Sequence, residues 1–174
     1  IVVVRGEENV LKTIGCGVKA PVALVFLADY NRIYDVGDHL GYPSDYDSLF
    51  YYLTAHTDAV IAAQTAVIAA ASLGLASLIT NSIHNALRKD LSELYAELDL
   101  PGERCFPITA VLLGYEDKAP AHKKGRLCGP GVVHDGRYTR LNAQQIEDLV
   151  RQIEDPEAGF GGKGYLETYY TKIR

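Results

Sequence analysis

Asp58-Ala-Val-Ile-Ala-Ala-Gln64-Thr-Ala-Val-Ile-Ala-Ala-Ala71-Ser-Leu-Gly74-Leu75 is the stretch on which the fold turns. It opens a longer run, residues 59–87, that carries no formal charge. Apolar runs of about eighteen residues or more can span a membrane. The composition here argues otherwise: alanines dominate, Gln64, Thr65, Ser72, Ser77 and Asn81 interrupt the run, and neither end carries a Lys/Arg cluster or an aromatic belt. A buried helix ending in a turn at Gly74-Leu75 is expected instead. Val60, Gln64, Val67, Ala71 and Leu75 fall on one helical face, while Ala62, Ala63, Ala66, Ala69, Ala70 and Leu73 make much of the rest small and apolar. Such a helix must be covered all round. In a chain of 174 residues the cover is expected to include a second subunit.

That length suits one domain, able to bury roughly 70% of its unfolded surface. Lys+Arg 17 against Asp+Glu 22 leaves a net charge of −5, which argues against a general nucleic-acid or anionic-membrane binder and for a small partner. Cys16, Cys105 and Cys128 are odd in number and lack Cys-x-x-Cys spacing, so reduced thiols in the cytoplasm are expected, with no disulfide framework and no zinc site. The sequence contains no Met and opens directly on strand-like Ile1-Val2-Val3-Val4, so the natural N-terminus is expected to lie upstream.

Outward from the central run, residues 1–5 read as a strand and Glu7–Ile14 as a short helix stopped at Gly15. After Pro21, residues 22–28 form a continuous apolar run of the kind buried on both faces of a sheet. Residues 37–52 hold Tyr42, Tyr46, Phe50, Tyr51 and Tyr52 among Gly, Pro, Ser and Asp, and read as a loop leading into a helix. Its aromatics could line a pocket, though packing on the core or on another subunit is the plainer expectation. Leu87, Leu91, Leu94 and Leu98 repeat at helical spacing until Pro101-Gly102, and residues 106–115 supply a third apolar strand. Asn142 followed by Gln145 predicts a capping box for a helix reaching about Ile153. Beyond Pro156 the periodicity is too weak for a core element, and a tail is expected.

Two glycine patterns imitate nucleotide loops. Gly15-Cys16-Gly17-Val18-Lys19-Ala20 has the loose dinucleotide spacing, but it follows a helix and leads into a strand, the reverse of the order that sets a pyrophosphate on a helix N-terminus. Gly159-Phe160-Gly161-Gly162-Lys163-Gly164 has neither a strand before it nor a clear helix after it. His39, His56, His84, His122 and His134 show no metal-ligand spacing, and no Gly-x-Ser-x-Gly elbow is present. His56-Thr57-Asp58 reads as a helix start.

Lys124-Gly125-Arg126 is the centre of the one local basic concentration, with Lys118, His122 and Lys123 nearby. Two cations two residues apart can meet one anion, Arg as a fork and Lys as a point charge, while Gly125 allows close backbone approach. Taken alone, a solvated basic loop explains them as well.

In order, Asp58 to Gln64, Ala71-Ser-Leu-Gly74-Leu75, residues 107–115 ending Leu112-Leu113-Gly114-Tyr115, and Lys124-Gly125-Arg126-Leu127 resemble the nitroreductase family of FMN-dependent oxidoreductases. The likeness runs from the first strand to about Tyr138. It implies an α+β fold: a nitroreductase-like three-layer α-β-α sandwich with a mixed, mainly antiparallel sheet, a long buried central helix, and an intertwined homodimer binding FMN at the subunit interface. It implies a single domain over residues 1–155, with its N-terminal part missing, and a C-terminal tail over residues 156–174. Matched to the family motif, Lys124 and Arg126 bind the FMN phosphate, and Ile79, Thr80, Asn81 and Ser82 pass beside the ring with backbone N–H groups near N5 and O4. Many relatives have Glu-Gly where this chain has Asn81-Ser82. The family's usual Arg-Arg-Ser-x-Arg opening and its Pro-Ser-x-x-Asn-x-Gln-Pro loop are not in this sequence.

The implied activity is electron transfer from NADH or NADPH through flavin N5 to a nitroaromatic, quinone or similar acceptor, by ping-pong half-reactions. Flavin N5 carries the chemistry, so no catalytic side chain and no metal is called for, and neither nucleic acid nor membrane is a partner. The alternatives are a flavin-binding or regulatory protein without turnover, and a dehalogenase or flavin-fragmenting enzyme on the same scaffold.

Overall fold

The computed structural model describes residues 1–42, 47–84, 91–118 and 125–172. Its elements run β1 (Val2–Arg5), α1 (Glu7–Ile14), β2 (Val22–Asp29), α2 (Asn31–His39), α3 (Leu49–Ser72), β3 (Ala76–Thr80), α4 (Leu91–Leu98), β4 (Cys105–Gly114), α5 (Ala143–Glu154) and α6 (Tyr165–Lys172). Single 3-10 turns lie at Ser82–His84 and Pro156–Ala158. Two compact units result, Ile1–Asp117 and Lys118–Arg174. Among the described residues, no helix is long and apolar enough to cross a membrane.

The first unit is built on a four-stranded sheet in the order β1-β2-β4-β3. Every pairing is antiparallel, so the α+β class holds, and of the expected mixed sheet the described strands show the antiparallel part. β2 and β4 are the inner strands, which is why both are nearly unbroken apolar runs. On one face, Val10 and Ile14 of α1, Leu94 of α4 and Ile83 of the 3-10 turn pack with Val4, Val25, Ala110 and Leu112. The fully buried members contribute roughly 1.5–3 kcal/mol each. Helix α1 stops where the sequence places its end, because Gly15 takes the left-handed conformation, φ 68°, and its N–H donates to the Leu11 carbonyl. The Gly15-Cys16-Gly17 pattern is therefore a helix terminator here.

On the opposite face α3 lies across the sheet, with Ala59 and Ala63 against Phe26, Ala28, Ile108 and Val111. One expectation needs correction. Helix α3 starts at Leu49, so His56-Thr57-Asp58 lies inside it. Thr54 and Thr57 donate their hydroxyls to the carbonyls of Phe50 and Leu53, which lets the helix absorb them. The face turned to the sheet is the alanine side, 59, 63, 66 and 70, with Tyr52, Ala55 and Val67. Val60, Gln64 and Ala71 point away from it. Alanines let the helix backbone approach the strands, and a helix apolar all round offers no periodic contrast from which to pick its packed side. The outward side carries Leu53, Val60, Ile61, Ile68 and Leu73, all exposed within this chain.

Helix α2 and strand β3 form where no element was predicted. Asp29 starts α2 by accepting from the backbone N–H and the side chain of Asn31. Arg104, at φ 54°, grips the same corner: its guanidinium forks onto Asp47 at 2.7 Å on both oxygens and lies 4.0 Å over the Tyr34 ring. Of the predicted leucine helix, α4 supplies the part from Leu91, and Leu87 falls outside the described residues.

In the second unit, Asn142 and Gln145 form the predicted capping box. The Asn142 side chain accepts from the Gln145 N–H at 2.9 Å, and the Gln145 side chain accepts from the Asn142 N–H at 3.0 Å. Reciprocal caps of this kind contribute about 1 kcal/mol. Helix α5 lies beside α6, an element absent from the sequence reading.

Candidate functional site

Strand β3 occupies an edge of the sheet, bonded to β4 alone among the described strands. It therefore presents one row of backbone N–H and C=O groups away from the sheet, and a ligand can use them. Ile79 and Thr80 are its last two residues, and Asn81 leads into the 3-10 turn that starts at Ser82. Ile79 is 42% exposed.

The turn is tightly specified. Thr80 Oγ1 and Ser82 Oγ are 2.7 Å apart, and the Ser82 N–H donates to Thr80 Oγ1 at 3.1 Å. The His84 N–H donates to the Asn81 carbonyl at 2.9 Å, and Ile83 is driven fully into the core. Thr80 thus spends its hydroxyl locally, while the Asn81 side chain is exposed and makes no hydrogen bond among the described residues. An amide and edge peptide groups together both donate and accept, a set suited to a planar heterocycle with alternating donors and acceptors.

Arg126 lies in the loop that precedes α5, with its guanidinium exposed and Nη1 donating to the Gly125 carbonyl at 3.0 Å. Lys124 lies outside the described residues. Gly125 has a physical reason other than the expected approach to an anion. An added Cβ would run into the Ala158 carbonyl and stand 2.8 Å from the Phe160 ring, while the Gly125 N–H already donates to the Gly159 carbonyl at 3.1 Å. The close neighbour is the turn at 156–160. Gly125→Ala is accordingly expected to destabilise the second unit by about 1–3 kcal/mol, the usual cost of overpacking. Amide exchange over residues 125–126 and 156–160 would speed up; unchanged exchange would mean the turn has room to yield.

The predicted aromatics divide. Tyr52 packs edge-on against Phe106 with centroids 5.2 Å apart, Tyr42 and Phe50 are exposed, and Tyr46 falls outside the described residues. Tyr51 lines a cleft of about 310 Å³ with Tyr30, Arg32, Thr54 and Asp58. Residues 79–82 do not line it. All three cysteines are unpaired, and burial, reinforced by Asp29, pushes the Cys105 thiol up to about 11, so it stays protonated and unreactive.

No protein-family model matches the chain. It is 31% identical over 150 residues to the FMN reductase [NAD(P)H] of Bacillus subtilis (strain 168), covering 83% of this chain and 56% of that protein. To the NADPH-flavin oxidoreductase of Vibrio harveyi it is 32% identical over 152 residues, covering 86% of this chain and 58% of the relative. The chain thus spans little more than half the length of these relatives. In fold it is similar to nitroreductase A from Vibrio parahaemolyticus RIMD 2210633, with a TM-score of 0.76 over 99% of this chain and 71% of that one at 24% identity. The chain is thus similar in sequence to flavin reductases over most of its length and similar in fold to nitroreductase A, and on both counts it resembles the nitroreductase family.

Proposed function

We propose that this chain belongs to an FMN-dependent NAD(P)H oxidoreductase working as a cytoplasmic homodimer. The likeness to the Bacillus FMN reductase across 83% of the chain carries the reading. The chemistry FMN supplies when bound is hydride acceptance at N5 from NADH or NADPH and, in a second half-reaction, delivery to a nitroaromatic, quinone or similar acceptor.

The residues fit that group in kind. Arg126 and Lys124 hold the phosphate, one as a fork and one as a point charge. Ile79, Thr80, Asn81 and Ser82 would hold the ring, and backbone N–H groups of this segment would oppose the negative charge that builds on reduction. The Asn81 amide, uncommitted among the described residues, is available to the ring or to the incoming substrate. Burying the outward side of α3 against its symmetry mate forms the dimer and encloses the ring from water. Unpaired thiols agree with a reducing compartment.

The test is spectroscopic. The purified protein is expected to be yellow, or to take up FMN on reconstitution, and its flavin absorbance should bleach rapidly on stopped-flow mixing with NADPH or NADH. Failure to take up FMN would overturn the reading. Uptake without bleaching would leave a flavin-binding protein that does not turn over.

A further inference from the structure

The pairing of β2 with β4 is irregular at one point: Phe26 stands opposite Thr109 and Leu27 opposite Pro107, so one step on β2 spans two on β4. Ile108 is the extra residue, and the β3–β4 pairing stops at Ala110, so Ile108 faces no residue on either neighbour. The Pro107 beside it has no N–H to give a ladder, which is why proline inside an inner strand belongs at such a bulge. The bulge turns Ile108 toward the α3 face, where it packs with Phe26 and Val111, although Ala110 two residues on packs on the other face.

The same bulge sends two polar groups to the turn at the end of β3. Thr109, 5% exposed, donates its hydroxyl to the Thr80 carbonyl at 3.1 Å. The carbonyl of Ile108, the extra residue, lies 3.0 Å from His84 Nε2. A carbonyl only accepts, so Nε2 carries the proton in that bond. One bond holds the first residue of the 80–84 segment and the other holds the last, while Ile83 between them is locked in the core.

We infer that Thr109 is a positioning residue for the flavin edge of the site: through the Thr80 carbonyl it fixes the path of residues 80–82, and with it the direction in which the Asn81 amide is presented. This rests on the flavin reading proposed above. Thr109 touches no ligand itself, and its effect passes wholly through the turn. Sites of this kind depend on supporting groups to hold contacting groups within a fraction of an ångström.

Thr109→Val keeps the shape and removes the donor, whereas Thr109→Ser restores it. In the flavin-free protein, Thr109→Val is expected to speed amide exchange at residues 80–84 by about fivefold, the loss of one ordinary hydrogen bond, with residues 22–26 unchanged. Thr109→Ser should stay within about twofold of the parent. With FMN added, the valine variant should show a displaced flavin absorption band and a changed midpoint potential, again recovered by serine. If the valine variant cannot be purified, Thr109→Ala carries the same measurements. Parent-like exchange at residues 80–84 in the valine variant would overturn the inference. So would altered exchange with FMN bound at an unchanged potential and spectrum. A parent protein that binds no FMN sinks the flavin reading instead, and is recognised because it fails before any variant is compared.

Discussion

Arg126→Ala is expected to weaken FMN binding by about 10- to 100-fold. A charge-assisted hydrogen bond contributes roughly 1.5–3 kcal/mol, and 1.4 kcal/mol is a factor of ten in affinity. Arg126 is exposed, so its removal leaves no cavity. Titration of the flavin-free protein by flavin fluorescence measures the change, and raising the ionic strength should narrow the gap between parent and variant. Arg88→Ala is the control, because nothing assigns that arginine to the cofactor. If both variants keep FMN equally well, the basic triplet is an ordinary solvated loop.

The second large effect concerns α3. Ile61 and Ile68 lie on its outward side, 60% and 63% exposed in the single chain. In the proposed homodimer a two-fold axis would make the pair four side chains, and burying the exposed three fifths of each, at roughly 1.5–3 kcal/mol for a whole isoleucine, contributes about 4–7 kcal/mol together. Replacing both with glutamate removes that term and sets like charges against each other. The double variant is therefore expected to sediment as a monomer where the parent sediments as a dimer, with its far-ultraviolet circular dichroism retained. A dimer that survives both substitutions would place the interface elsewhere on the molecule.

How much of this was legible in the sequence depends on the physics of each signal. α1, with its buried Val10 and Ile14 and its glycine stop, and α5, with the Asn142–Gln145 cap, were readable because local chemistry specifies them. β2 and β4 were readable as apolar runs. β3 was not: only Leu73-Gly74-Leu75 separates it from a helix of the same composition, so five more apolar and small residues carried no change of period. α2 is short, contains Gly37 and leaves Ile33 and Val36 exposed, so no buried stripe marked it. In the proposed site, Ile79, Thr80, Asn81, Ser82 and the basic triplet come from resemblance and local charge. Thr109 and His84 do not, because a hydroxyl inside an apolar strand declares its partner only once a bulge has turned it toward the neighbouring turn.

The three thiols differ sharply in accessibility, with Cys128 exposed, Cys16 half-buried and Cys105 sealed within an inner strand. A maleimide therefore takes two equivalents while the chain is folded and a third only when β4 is pulled out of the sheet. The molecule carries its own unfolding clock, readable by mass as the slow arrival of the last label.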